Sequence, residues 1–246
     1  MRSNFDWLSP QSHPELSPQS VHVWRASLQF ESKQLDRFAI TLSEDERARA
    51  QRFGFERDRN SFIAARGILR DLLARYSGCG PGDIEFVYGA QGKPALSDGG
   101  TANPVRFNLS HSHGLAVIAV AREREIGVDV EKIRPDRAGD EIASRYFSAE
   151  EVAELRALPT EQRAEGFFLC WTRKEAYVKA LGEGLRFPLD RFRVSLSPGK
   201  PAQLYGDAGA RWSIAAFDPS FTPEAGYAGA MVAEGKDSRA EYFQWK

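Results

Sequence analysis

Cysteine is nearly absent from this chain. Only Cys79 and Cys170 occur in 246 residues, far apart and without Cys-x-x-Cys spacing. A disulfide framework and a cysteine-held metal are thereby excluded, and a reducing cytoplasm is the natural setting. Histidine is almost as scarce. His13 and His22 lie near the start, and the pair His111 and His113 has no cysteine beside it, which leaves zinc without a ligand set. Charge of one sign is not in excess, with 33 Lys plus Arg against 34 Asp plus Glu. No global field therefore draws the chain to nucleic acid or to an anionic membrane, and recognition of a charged partner has to be local.

Long hydrophobic runs are missing too. The longest uncharged one, Gly114 to Ala121, is less than half of the roughly 20 residues a spanning helix needs. The opening "MRSNFDWLSPQSHPELSPQ" lacks a basic segment followed by an apolar one, so it is not a signal peptide and reads as a flexible arm over residues 1–20. Neither a G-x-x-x-x-G-K-S/T loop nor a G-x-G-x-x-G turn after a strand is present, which leaves the usual nucleotide sites unsupported. No G-x-S-x-G elbow surrounds Ser110.

What is there is ordinary for a globular protein: 42% hydrophobic and 27% charged residues, enough apolar material to bury a core and too much for disorder. "VHVWRASL" reads as a strand. "LSEDERARAQRF" carries a capping box, Ser43 with Glu46, and "RNSFIAARGILRDLLARY" repeats apolar residues at helical spacing. "GCGPGD" breaks the chain, and "IEFVYG", "VRFNLS" and "GLAVIAVA" read as short strands. The second half repeats this grammar. "YFSAEEVAEL" has the box Ser148 with Glu151, and "GFFLCWTRKEAYVKALGEG" is a helix closed by glycine. Strands are then expected at "RFRVSL", "QLYG", "RWSIAAF" and "YAGAMVA". Ser43 precedes Ser148, and Phe62 precedes Phe167, by the same interval, so the order of elements points to an internal duplication. The expected fold is α+β and pseudo-symmetric, each half a small antiparallel sheet packed with helices, with residues 21–124 as the N-terminal half and 125–246 as the C-terminal half.

Four stretches could carry chemistry. In "EIGVDVEKI" alternation puts Ile126, Val128 and Val130 on one face and Gly127, Asp129 and Glu131 on the other. Two carboxylates about 6–7 Å apart on a strand suit a hard cation such as Mg²⁺ and equally suit water. In "CWTRKEAYVKALGEG", Trp171, Glu175 and Lys179 share a helix face. That is either a surface Glu–Lys pair, or a metal ligand or general base beside a cation for phosphate. "FNLSHSHG" puts Ser110, His111, Ser112 and His113 at a strand end, polar rim or phosphate contacts. "YGAQGKP" presents Lys93 from a tight turn, suited to a phosphate or merely to turning.

Together "GKP", "FNLSHS", "IGVDVEKI", "RYFSAEE" and "WTRKEAYVKALGEGL" resemble, in order and spacing, the Sfp-type 4'-phosphopantetheinyl transferases. The likeness runs over roughly residues 40 to 190, and "GYAGAMVAEG" is similar to that family's closing strand. It implies an enzyme that binds coenzyme A and Mg²⁺ between its halves. Such an enzyme moves the phosphopantetheine arm to a serine of an apo acyl or peptidyl carrier protein, an acidic helical domain, and releases adenosine 3',5'-bisphosphate. By the same resemblance Asp129, Glu131 and Glu175 hold Mg²⁺, with Asp129, Glu175 and Lys179 in the catalytic set. Glu175 is the base for the carrier serine, and Lys179 steadies the pyrophosphate or protonates the leaving group. Arg49, Lys93, Ser110, His111 and Lys179 face the coenzyme, while Trp171 and Lys174 shape the site. Ser61 stands where many members carry an Arg, so one phosphate contact is either missing or supplied by Arg59 or Arg66, and Glu46, where some members carry a Lys, reads as a helix cap. "LRFPLDRFR", with Arg186, Arg191 and Arg193, faces either an acidic carrier or water. A fold holding its own pseudo-dimer is expected to act as a monomer.

Overall fold

The computed structural model describes residues 7–10, 14–97, 104–184, 187–221 and 226–246. The first half runs β1 (Ser20–Ser27), α1 (Ser32–Thr41), α2 (Glu44–Ala50), α3 (Glu56–Ser77), β2 (Phe86–Tyr88), β3 (Pro94–Leu96), β4 (Val105–Ser112) and β5 (Leu115–Arg122). The second runs β6 (Ile126–Lys132), α4 (Asp140–Tyr146), α5 (Ala149–Ala157), α6 (Thr160–Leu181), α7 (Gly206–Arg211), β7 (Trp212–Phe217), β8 (Tyr227–Glu234) and β9 (Arg239–Gln244). Among the described residues no helix is long and apolar enough to cross a membrane.

The duplication is visible in three dimensions. One sheet is ordered β4-β5-β1 and the other β7-β8-β6, each with the equivalent strand in the middle. Helices α3 and α6 are each 22 residues long and each ends at a glycine in the left-handed region, Gly78 and Gly182, where a residue without a Cβ turns the chain freely. Both capping boxes form. Glu46 Oε2 accepts the Ser43 amide at 3.0 Å and Glu151 Oε2 the Ser148 amide at 2.8 Å. These two caps do more than cap. Glu46 is buried and ion-paired with Arg66 and with Arg70 at 2.7 Å, and Glu151 is buried against Lys174 at 2.7 Å.

Helix α3 covers the outer face of one sheet with Ile68, Leu69, Leu72 and Leu73. Helix α6 covers the outer face of the other with Phe167, Ala176 and Ala180. The inner faces meet through Val21, Val23, Val117 and Ala119 against Ile126, Val128, Val130 and Met231. The layers are thus helix, sheet, sheet, helix, and the apolar alternation of β6 fills the middle.

Three expectations change. Strand β9 leaves the second half and pairs in parallel with β1, so the first sheet is mixed and residues 239–244 complete it. The "RFRVSL" and "QLYG" segments share one bridge, Val194 with Leu204, rather than forming a ladder. The arm read as flexible is docked where described: the Leu8 amide donates to the Tyr242 carbonyl at 3.0 Å, Trp7 packs edge-on against Phe217 and Tyr242, and Leu16 is buried.

Candidate active site

Gly127 decides how close α6 comes to β6. A Cβ there would lie 2.0 Å from the Ala176 carbonyl oxygen and 2.3 Å from the Ala180 amide nitrogen, so only glycine admits the helix. Asp129, next along the same face of β6, then meets the next turn of α6. The Lys179 ammonium sits 2.6 Å from Asp129 Oδ1 and 3.0 Å from Ser110 Oγ. Glu175 and Trp171 follow up the helix, so the i, i+4, i+8 face holds the site side chains. A cleft of about 340 Å³ opens here. Its walls are Leu109, Ser110 and His111 from β4, Asp129 and Glu131 from β6, and Trp171, Glu175 and Lys179 from α6.

The two sheets are joined at this cleft by side chains. Asn108, Ser110 and Ser112 alternate along β4 and accept the amides of Val128 at 2.9 Å, Val130 at 3.3 Å and Lys132 at 3.2 Å. The same serines turn their protons to the carboxylates, Ser110 to Asp129 Oδ1 and Ser112 to Glu131 Oε2, both at 2.8 Å. Sequence reasoning left Asn108 unassigned and read Ser112 only as polar rim or phosphate contact, so neither of these bonds was expected. The signal for Asn108 was available in its spacing, since it precedes Ser110 and Ser112 at period two along β4.

Charge is held here at a cost. Burial, then the charge of Asp129, raises the Glu175 carboxyl above its ordinary range, and the same two causes raise Glu131. Burial and the Lys179 charge lower His111, which favours its neutral imidazole. Asp129 Oδ2 and Glu175 Oε1 are buried with no hydrogen-bond partner among the described residues. Such orphaned anionic oxygens call for a cation. Among the described residues, however, no group of three or more His, Cys, Asp or Glu is assembled to hold an ion.

Other predicted residues lie elsewhere. Lys93 donates to Glu125 at 2.9 Å and to the carbonyls of Ile126 and Ala180 at 3.2 and 3.1 Å, tying its turn to β6 and to the end of α6. Arg49 is exposed on α2 with its guanidinium 5.4 Å from the Phe62 ring centre. Arg66 is spent on Glu46 and Phe86, and Arg59 pairs with Glu56 at the surface. Lys174 is fully buried and clamps the turn after α6 through the Leu189 and Phe192 carbonyls. Arg193 lies over Tyr205. Arg186 is outside the described residues.

The profile described as 4'-phosphopantetheinyl transferase superfamily matches residues 125–232, and that described as 4'-phosphopantetheinyl transferase, N-terminal, matches residues 24–123. The 4'-phosphopantetheinyl transferase HetI of Nostoc sp. is 43% identical over 208 residues, 85% of this chain and 86% of that one. The chain belongs to the 4'-phosphopantetheinyl transferase superfamily. Within this superfamily it is also similar to 4'-phosphopantetheinyl transferase Sfp of Bacillus subtilis, 34% identical over 161 residues covering 65% of this chain and 69% of that one. AcpT of Salmonella typhimurium is 41% identical over 124 residues, 50% of this chain and 59% of that one. The two family matches of this transferase meet where β5 gives way to β6.

Proposed function

We propose that this transferase moves 4'-phosphopantetheine from coenzyme A to a serine of an apo acyl or peptidyl carrier protein, with Mg²⁺, and releases adenosine 3',5'-bisphosphate. The observation that carries the proposal is the cleft between β4, β6 and α6, where three carboxylates face one ammonium and two buried oxygens have no hydrogen-bond partner among the described residues. The donor set is all oxygen, which suits Mg²⁺. Asp129, Glu131 and Glu175 would hold the ion, which supplies positive charge to the pyrophosphate oxygens.

The chain's own residues account for the proton. Glu175, kept basic by its surroundings, takes the proton of the carrier serine as Oγ bonds to the β-phosphorus of the coenzyme. The bond from that phosphorus to the bridging oxygen breaks, and the electron pair leaves on the adenosine bisphosphate. The Lys179 side chain is 29% exposed, so its ammonium stays within reach of a ligand and can meet the leaving oxygen. From the β4 wall neutral His111 offers a hydrogen bond to phosphate, and Ser110 would do so by turning its proton away from Asp129 Oδ1. Coenzyme A as donor, and a chain with a single buried and a single exposed thiol, suit the cytoplasm. The fold's internal pseudo-dimer suits a monomer.

The test is to incubate the enzyme with coenzyme A, Mg²⁺ and apo carrier proteins and to weigh the carriers. A gain of one phosphopantetheine, lost on adding a chelator, is expected. Unchanged mass across acyl and peptidyl carriers overturns the reading.

A further inference from the structure

The hairpin that joins β4 to β5 turns at His113 and Gly114. His113 holds φ +46°, the left-handed region, which costs a non-glycine residue energy and persists only where its surroundings impose it. Those surroundings are specific. Tyr227 Oη donates to the His113 carbonyl at 2.9 Å, Nδ1 lies 3.0 Å from Ser112 Oγ, and Nε2 lies 3.5 Å from Arg134 Nη1.

The protons in this chain can be assigned by counting. Ser112 Oγ has one proton and three neighbours: ionised Glu131 Oε2, which only accepts, the Lys132 amide, which only donates, and His113 Nδ1. The proton therefore goes to Glu131, and Nδ1 must carry its own to donate to Ser112. Arg134 can only donate, so Nε2 must be bare. Both ends demand the same neutral imidazole. Burial and the nearby charges of Arg134, Lys132 and Arg57 also disfavour the doubly protonated ring.

We propose that Ser112, backed by His113, is a positioning residue for Glu131. A directed chain runs from Arg134 through the imidazole and the hydroxyl to Oε2 and fixes the rotamer of this carboxylate in the cleft. His113 spends its backbone strain on putting Nδ1 behind Ser112. The inference rests on the proposed role of Glu131 toward Mg²⁺, whose orienting partners are commonly worth about 10–100-fold in metal affinity.

Two measurements test it. Long-range ¹H–¹⁵N spectra of the imidazoles read the tautomer directly and do not depend on metal or on activity. His113 should be the Nδ1–H form in the native protein and should lose that preference in Ser112→Ala. A native Nε2–H form overturns the chain. Mn²⁺ binding, followed by electron paramagnetic resonance with coenzyme A present, should weaken about 10–100-fold in Ser112→Ala and recover in Ser112→Thr, with melting temperatures of both variants checked beside it. His113→Asn tolerates the left-handed backbone and keeps an N–H near Nδ1, so it should bind better than His113→Ala. If the native enzyme transfers phosphopantetheine and Ser112→Ala binds Mn²⁺ as tightly, the positioning role fails while the function stands. If the native enzyme shows no transfer, the function fails and the tautomer still decides the chain.

Discussion

Lys179 could have paired with Glu175, one turn away on its own helix, as a surface pair would. Its ion pair is instead with Asp129 on β6, and this choice leaves Glu175 in a buried, like-charged setting. A carboxyl whose folded pKa is raised holds its proton to higher pH in the folded chain than in the unfolded one. Its contribution to stability is therefore present at and below the ordinary carboxylate range and is lost as pH rises through the raised value. Metal-free protein should lose stability from Glu175 and Glu131 as pH climbs from about 4.5 toward neutrality. Glu175→Gln removes one such charge. It should abolish transfer and, in chelator near neutral pH, raise stability by about 0.5–2 kcal/mol, a gain that shrinks on acidification. Melts of both proteins across that range check the sign, and wild-type transfer by the variant removes Glu175 from the chemistry. Asp129 and Glu131 were legible as one face of a strand because alternation is rigid. The orphaned oxygens that favour a cation over water at this face were not, since they depend on α6, some fifty residues away.

At the scale of elements, the seam of β6 against α6 depends on one missing side chain. Gly127→Ala should push the helix off the strand, cost at least the 1–3 kcal/mol usual for overpacking, and lower transfer with the fold otherwise retained. Chemical denaturation and transfer rates measure the two effects separately. The buried pair Glu151–Lys174 has the reverse character. Glu151→Ala leaves the fully buried ammonium unpaired, and about 3–5 kcal/mol of stability should go, read by the same denaturation. Helices α2 and α5 were legible from their capping boxes, α3 from apolar residues recurring at helical spacing, and α6 from the glycine that closes it. Helix α1 was missed because its buried positions are only Leu35 and Phe38, and β9 because "RAEYFQ" buries little beyond Phe243. Lys93 reads from its sequence either as a phosphate contact or as a turn residue, because a turn sequence does not reveal that its ammonium donates to Glu125 and to two carbonyls.

For the whole molecule, the two halves were legible as a repeat and their interlocking was not. Sequence order assigns residues 239–244 to the second half, whereas Phe243 stacks on Trp24 at 4.8 Å inside the first core. Phe243→Ala should therefore destabilise the first half, by about 3–5 kcal/mol as for other large core truncations. A changed Trp24 fluorescence that accompanies unfolding of the α3 layer is the expected signature, and intact stability would show that β9 is merely laid on.

The parallel pairing of β9 with β1 also sets an order of events during synthesis. The first sheet gains its last strand only after more than a hundred further residues have followed β5 out of the ribosome, roughly 5–20 s later at ordinary elongation rates. Through that interval the edge of β1 stands open, with unpaired amides and carbonyls that invite pairing with another nascent chain. A protein built from two copies of one plan thus cannot finish its first copy until the second is made.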